Sequence, residues 1–342
     1  MQSSFWNGRS VLVTGASGLL GGWLVPALVR KGASVVLLVR DAAPQSMLVR
    51  DGWLNSLSTV DGSIADPDLI RRAISEYSVK TVFHLAAQTQ VGVAKVDPVG
   101  TLEANVRGTW NLLEAARQCG GIDVVAASSD KAYGQADKLP YQEDYPLQGK
   151  YPYDVSKSCM DLICTMYANS FGLPVMIARC ANLFGGGDLN FARVIPGLIQ
   201  ATLRGEPFVI RSDGQFIRDY LYVEDAADAY MCMAEYLADH PSSRGEAFNI
   251  SMEARRTVLE LVGSVLTLLD RNDLQPIIMN QASNEIRAQA LSSDKARRVL
   301  GWTPNLTFDE SLSRTIAWYQ HYFADRNETH KRSSHIVASM SA

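Results

Sequence analysis

Ser10-Val-Leu-Val-Thr-Gly15-Ala-Ser-Gly18-Leu-Leu-Gly21 is the stretch whose reading decides the fold. An apolar run of strand length stops at a glycine, and two more glycines lead into a helical face of Leu20, Trp23, Leu24, Ala27 and Leu28. A tight turn at that junction needs glycine. A pyrophosphate can approach only where side chains are missing, and the helix N-terminus offers it oriented N–H groups. Between a strand and a helix, the loop points to dinucleotide binding. Pro26 lies inside the same helix and removes one backbone donor, so a kink is expected there.

Similar apolar runs recur over residues 34–39, 81–87, 122–127 and 174–180. They are nearly continuous rather than alternating, as strands buried on both faces are. Helices over 98–119 and 153–171 supply crossovers of the length that parallel strands need. After residue 182, glycine, proline and arginine become frequent, and short strands (208–211, 220–223, 248–250) mix with helices at 225–238 and 257–269. The expected architecture is α/β, a Rossmann-type doubly wound parallel sheet over residues 1–182. A smaller α+β substrate-binding lobe is expected mainly over 183–325, with interleaved boundaries. Residues 326–342 are polar and aperiodic and are expected to be disordered.

The 342 residues are 47% apolar and 20% charged, which excludes an intrinsically disordered chain. A net charge of −4 gives no sign of a nucleic-acid or membrane-surface partner. No apolar run reaches the roughly 18 residues of a membrane span, and the start lacks a signal-peptide pattern, so a cytoplasmic protein is expected. The five cysteines form no C-x-x-C pair and the five histidines no metal-ligand spacing. Neither a disulfide framework nor a metal is expected.

Tyr153-Asp-Val-Ser-Lys157 places a phenol and an ammonium four residues apart on one helix face. A neighbouring ammonium favours the phenolate and brings a tyrosine toward use as a base. Upstream, the apolar run of 122–127 ends in Ser128-Ser129-Asp130-Lys131, and strand carboxyl ends line the ligand crevice of an open parallel sheet. The second strand ends in Arg40-Asp41, where an acid usually holds the ribose of NAD. NAD is the expected cofactor, with NADP left open because Arg40 can meet a 2′-phosphate.

Gly15–Gly21, His84-Leu-Ala-Ala-Gln88, Asn105-Val-Arg-Gly-Thr109, Ser129, Tyr153/Lys157 and Arg179-Cys-Ala-Asn182 together resemble the extended short-chain dehydrogenase/reductase family, the NAD-dependent epimerases and dehydratases of nucleotide-diphosphate sugars. The resemblance covers residues 5 to 323. Phe5-Trp6, Gly22-Trp23-Leu24, Ser129-Asp130-Lys131 and Gly185-Gly-Gly-Asp188 look most like its CDP-glucose 4,6-dehydratases. Simple 4-epimerases, the alternative, usually carry small or hydroxyl residues in place of Asp130 and Lys131. A non-catalytic dinucleotide sensor would lack Tyr153 or Lys157.

The resemblance implies roles. Tyr153 would take the proton of the sugar 4-OH, with Ser129 holding that oxygen. Lys157 would bind the nicotinamide ribose and lower the tyrosine pKa. Lys131 would remove the C5 proton, and Asp130 would protonate the leaving 6-OH. These two neighbours can also pair and share one proton. The cofactor would lie along Gly15, Ser17, Gly18, Leu19, Leu20, Gly21, Arg40, Ser63, Ile64, Leu85, Ala86, Ala87, Gln88 and Asn105, besides Tyr153 and Lys157. The sugar nucleotide would meet Gln88, Asn182, Arg193, Arg218 and Arg287, because a guanidinium suits a diphosphate. A homodimer through the 98–119 and 153–171 helices is also implied. Leu20 and Ser63 stand where relatives often have lysine and aspartate, which leaves the nucleotide base and the hexose open.

Overall fold

In the strand Ser10–Thr14 (β1), Val11 and Val13 enter one apolar core while Leu12 enters another, so both faces of the strand are covered. The computed structural model describes residues 5–340 except 42, 137 and 282–285, with backbone alone beyond residue 325. The remaining strands of the main sheet are Ser34–Val39 (β2), Ser58–Asp61 (β3), Thr81–His84 (β4), Asp123–Ser129 (β5), Val175–Cys180 (β6) and Ala247–Ile250 (β7). They form a seven-stranded parallel sheet in the order β7-β6-β5-β4-β1-β2-β3. The chain reverses its direction of winding between β1 and β4, whose ends pair Thr14 with His84. That is where such sheets open a ligand crevice.

One face of the sheet is packed by the helices Leu19–Arg30 (α1) and Val223–Asp239 (α5). The other is packed by Pro67–Glu76 (α2), Gly108–Cys119 (α3) and Pro152–Phe171 (α4). α1 runs through Pro26 as one helix, with Leu20, Leu24, Val25 and Leu28 buried. Among the described residues no helix is long and apolar enough to cross a membrane.

The structure corrects the sequence reading in three places. β3, Ser-Thr-Val-Asp, was not expected: it is an edge strand, half-exposed and too polar to show as an apolar run. β7 and α5, read as parts of the second lobe, return to the main sheet, where β7 pairs with β6 and α5 packs on α1. The last helix, Phe308–Met340 (α6), continues through residues 326–340 in place of the disorder expected there, because no glycine or proline interrupts it.

What remains of the second lobe is built from short pairs of strands. Asn182–Phe184 pairs with Tyr220–Tyr222, and Ile217–Arg218 with Arg256–Thr257. Residues 288 and 291 bridge this lobe to Ile217 and Tyr141, which draws 287–291 over the carboxyl end of β5.

Candidate active site

The glycine loop is a cradle that side chains would fill. Gly15 has φ +69°, and a Cβ there would stand 2.6 Å from the backbone of Leu85 and Ala86. A Cβ on Gly21 would lie 2.4 Å from the carbonyl oxygen of Ala16. Gly18 begins α1 without any side-chain cap, so the first N–H groups stay open to an anion. Ser17, Leu19 and Leu20 follow from the same turn. Arg40 and Asp41 form an exposed ion pair of 2.6 Å at the end of β2, and Ser63 and Ile64 sit in the turn after β3. These residues fit a dinucleotide lying across the carboxyl ends of β1, β2 and β3.

On the other side of the switch point, residues 85–88 are held by a chain of polar bonds. Thr109 donates to the Asn105 carbonyl (2.6 Å), so the His84 Nε2–H must donate to Thr109 (3.0 Å). His84 Nδ1 is then an acceptor, and the Thr14 hydroxyl donates to it (3.0 Å) while accepting from Ala86 N–H (3.2 Å). Burial, with a smaller push from Lys157, lowers the His84 pKa to about 3, so the ring is neutral. Asn105 lies in a π-turn at Glu103–Arg107, and its amide clamps the Gln88 backbone on both sides (2.7 and 3.0 Å). The Gln88 side chain turns back onto Gln90 rather than toward the crevice centre.

Ser129, the last residue of β5, donates to Asp130 Oδ1 (3.0 Å) and stands beside Tyr153 in the first turn of α4. Lys157 follows one turn later, fully buried, its Nζ donating to Ala127 O (2.7 Å). Burial lowers its pKa to about 8. The expected lowering of the tyrosine by Lys157 is not what the structure shows. Burial and then Asp130 push the phenol up, Ser129 and Arg193 oppose them, and Lys157 is not among the principal influences. Its ammonium is directed at the β5 backbone instead.

Asp130 and Lys131 occupy a 3-10 turn directly after β5. Lys131 Nζ stands 3.9 Å from Asp130 Oδ1, a loose pair, and donates to Gln289 Oε1 at 3.0 Å. Asp130 is 1% exposed and its Oδ2 has no partner among the described residues. Two further buried carboxyls face this group. Burial raises both Asp154 and Asp219 to about 6; Lys131 opposes the shift at Asp154, and Asp130 adds to both.

The substrate-lobe residues divide. Asn182 is fixed by its amide to Asp219 O (3.0 Å). Arg218 and Arg287 both lie over the lobe's Phe216, 5.6 and 5.7 Å from its ring centre. Arg287 also holds Asp213 (2.8 Å). Arg193 is tied to Asp188 (2.9 Å) and reaches Thr89, near enough to the site to influence Tyr153. A separate surface cavity of about 580 Å³, beside Glu143, Arg179 and Lys295, contains none of the expected site residues.

Sequence reasoning missed Gln289, Asp154 and the threonines around His84. Asp154 adjoins Tyr153 and could have been found from helix position. Gln289 carries no local motif; only the strand bridges bring it to Lys131.

A doubly wound sheet, a glycine cradle at its switch point and a Ser–Tyr–Lys set with its tyrosine and lysine buried define a dinucleotide-dependent enzyme. The chain belongs to the NAD-dependent epimerase/dehydratase family, whose model matches residues 11–251. It is 31% identical over 334 residues to a CDP-glucose 4,6-dehydratase of Salmonella typhimurium, covering 94% of this chain and 93% of that one. Among solved structures, UDP-glucose 4-epimerase of Thermotoga maritima with UDP-glucose superposes with a TM-score of 0.85 at 26% identity, over 92% of this chain and 100% of that one. A dTDP-glucose 4,6-dehydratase of Bacillus anthracis in complex with NAD gives 0.81 at 25% identity, over 92% and 97%.

Proposed function

We propose that the protein is a nucleotide-sugar 4,6-dehydratase, with a CDP-hexose as the first substrate to try. The observation that carries this reading is Asp130 and Lys131 side by side at the end of β5, one residue from Ser129 and beside Tyr153. A 4-epimerase needs the serine, tyrosine and buried lysine but has no use for an acid and a base at C5 and C6. The similarity to a CDP-glucose 4,6-dehydratase supports the same reading.

NAD, when bound, supplies the two-electron acceptor that takes hydride from C4 and returns it at C6. Tyr153 accepts the 4-OH proton as the carbonyl forms, and Ser129 holds the oxygen. Lys157 would hold the nicotinamide ribose through its ammonium, and that positive charge one helical turn from Tyr153 favours the phenolate. The 4-keto group acidifies C5–H. With the proton the pair shares resting on Asp130, Lys131 takes the C5 proton with its lone pair, the C–H electrons become the C5=C6 bond, and the C6–O bond breaks. Asp130 gives its proton to the departing oxygen, and water leaves. As hydride is returned at C6, the Lys131 ammonium gives its proton back to C5, which completes the 4-keto-6-deoxy sugar. Asn182 binds the nucleotide portion, with Arg218 and Arg287 on the diphosphate and Arg193 beside the sugar end.

Residues exposed on the 98–119 and 153–171 helices include Val99, Leu102, Trp110, Leu162, Met166 and Phe171. We take this face as the seat of a second copy, which sedimentation would report as a dimer.

Incubation with CDP-, dTDP- and UDP-glucose tests the reading. One of them should yield a product lighter by one water, with the alkaline absorbance of a 4-keto sugar. Turnover with unchanged mass would replace the dehydratase reading with the epimerase one.

A further inference from the structure

Gln289 is 1% exposed, lies on the substrate lobe, and meets the end of β5 through its side chain alone. The orientation of its amide follows from Lys131. An ammonium has donors and no acceptor, so the amide must present Oε1 to Nζ, as the 3.0 Å contact has it. The two Nε2 hydrogens then point away from the lysine, and Nε2 has no partner among the described residues. Buried donors are nearly always answered. Two acceptors near one another, Asp130 Oδ2 and Asp219 Oδ1, are likewise enclosed without a partner among the described residues.

We propose that Gln289 is a positioning residue for Lys131 in the elimination. Its Oε1 fixes the amine and accepts from the ammonium formed when Lys131 takes the C5 proton. That bond is stronger after the transfer than before it. Asp130 on the same turn and Asp154 from α4 are the charged groups that also face the lysine. The inference rests on the dehydratase reading and adds a residue to it.

The test is Gln289→Met, close in volume but without hydrogen bonds. Affinity for the nucleoside diphosphate alone should be unchanged. Affinity for the nucleotide hexose should likewise change little. C4 oxidation, read as reduced-nicotinamide absorbance on mixing, should persist. Water loss and solvent-deuterium entry at C5 should slow by about 10- to 100-fold, the range for a hydrogen bond to a charged group. Adding Gln289→Met to Lys131→Met should slow elimination no further. Wild-type elimination rates in Gln289→Met, or an undiminished further loss in the double variant, would overturn the proposal. So would loss of nucleoside diphosphate binding together with turnover, which assigns Gln289 to the fold. If the wild type itself returns products of unchanged mass, the dehydratase reading fails first and this one with it.

Discussion

Replacing His84 with glutamine should flatten the acid side of the stability curve. His84 is 2% exposed, and its ring is held neutral between Thr14 and Thr109 with a pKa lowered to about 3 from its ordinary 6.5. Between those values the unfolded chain binds a proton that the folded chain refuses. Stability therefore rises with pH across this window and is lost as pH falls through it. One proton taken up only by the unfolded chain costs about 1.4 kcal/mol for each step of one in pH, so about 2 kcal/mol should go between pH 6.5 and 4.5 from this residue alone. The raised Asp154 and Asp219 work in the opposite sense near pH 5, since the folded chain binds their protons first. A difference between two proteins is therefore the right measurement. Urea denaturation of wild type and His84→Gln at half-unit steps from pH 7 to 4.5 should give curves that converge toward acid by about 2 kcal/mol. Glutamine keeps one donor and one acceptor but does not titrate. Parallel curves would refute the buried neutral ring, and with it the account of how residues 85–88 are pinned.

Three further outcomes follow from the site. Tyr153→Phe should lower kcat by about 10²- to 10⁴-fold while NAD stays bound, the usual range for a lost general base; stopped assays on the purified variant decide it, and near-normal turnover would remove Tyr153 from the chemistry. Gly21→Ala puts a Cβ 2.4 Å from the Ala16 carbonyl, which cannot step aside, so the cradle must open. The variant should lose about 1–3 kcal/mol of stability and co-purify with less NAD, by melting and by absorbance. Arg218→Met and Arg287→Met should each raise KM for the nucleotide sugar about tenfold with kcat nearly unchanged, because a diphosphate contact serves substrate and transition state alike.

The parallel sheet was legible because both faces of its central strands are buried, so Val11-Leu-Val13 and Val35-Val-Leu-Leu38 read as unbroken apolar runs. The same rule hides β3, whose edge position lets Ser58, Thr59 and Asp61 stay polar. β7 reads as a strand but falls in the wrong layer, since nothing in Phe248-Asn-Ile250 says which sheet it joins. In the site, residues on one turn or one helix face, such as Ser129–Lys131 and Tyr153/Lys157, were readable from spacing. Contacts made across the chain were not. Lys157 turns to Ala127 O, Arg193 reaches Thr89, and Gln289 meets Lys131, each through backbone placement that spacing does not encode.

The most direct test of the central claim is to supply the accepted nucleotide hexose with deuterium at C4 and weigh the product. A dehydratase that oxidises C4, eliminates at C5–C6 and returns the hydride gives a product that has lost one water and retains the deuterium, now at C6. A product of unchanged mass with deuterium still at C4 would contradict the assignment of Asp130 and Lys131.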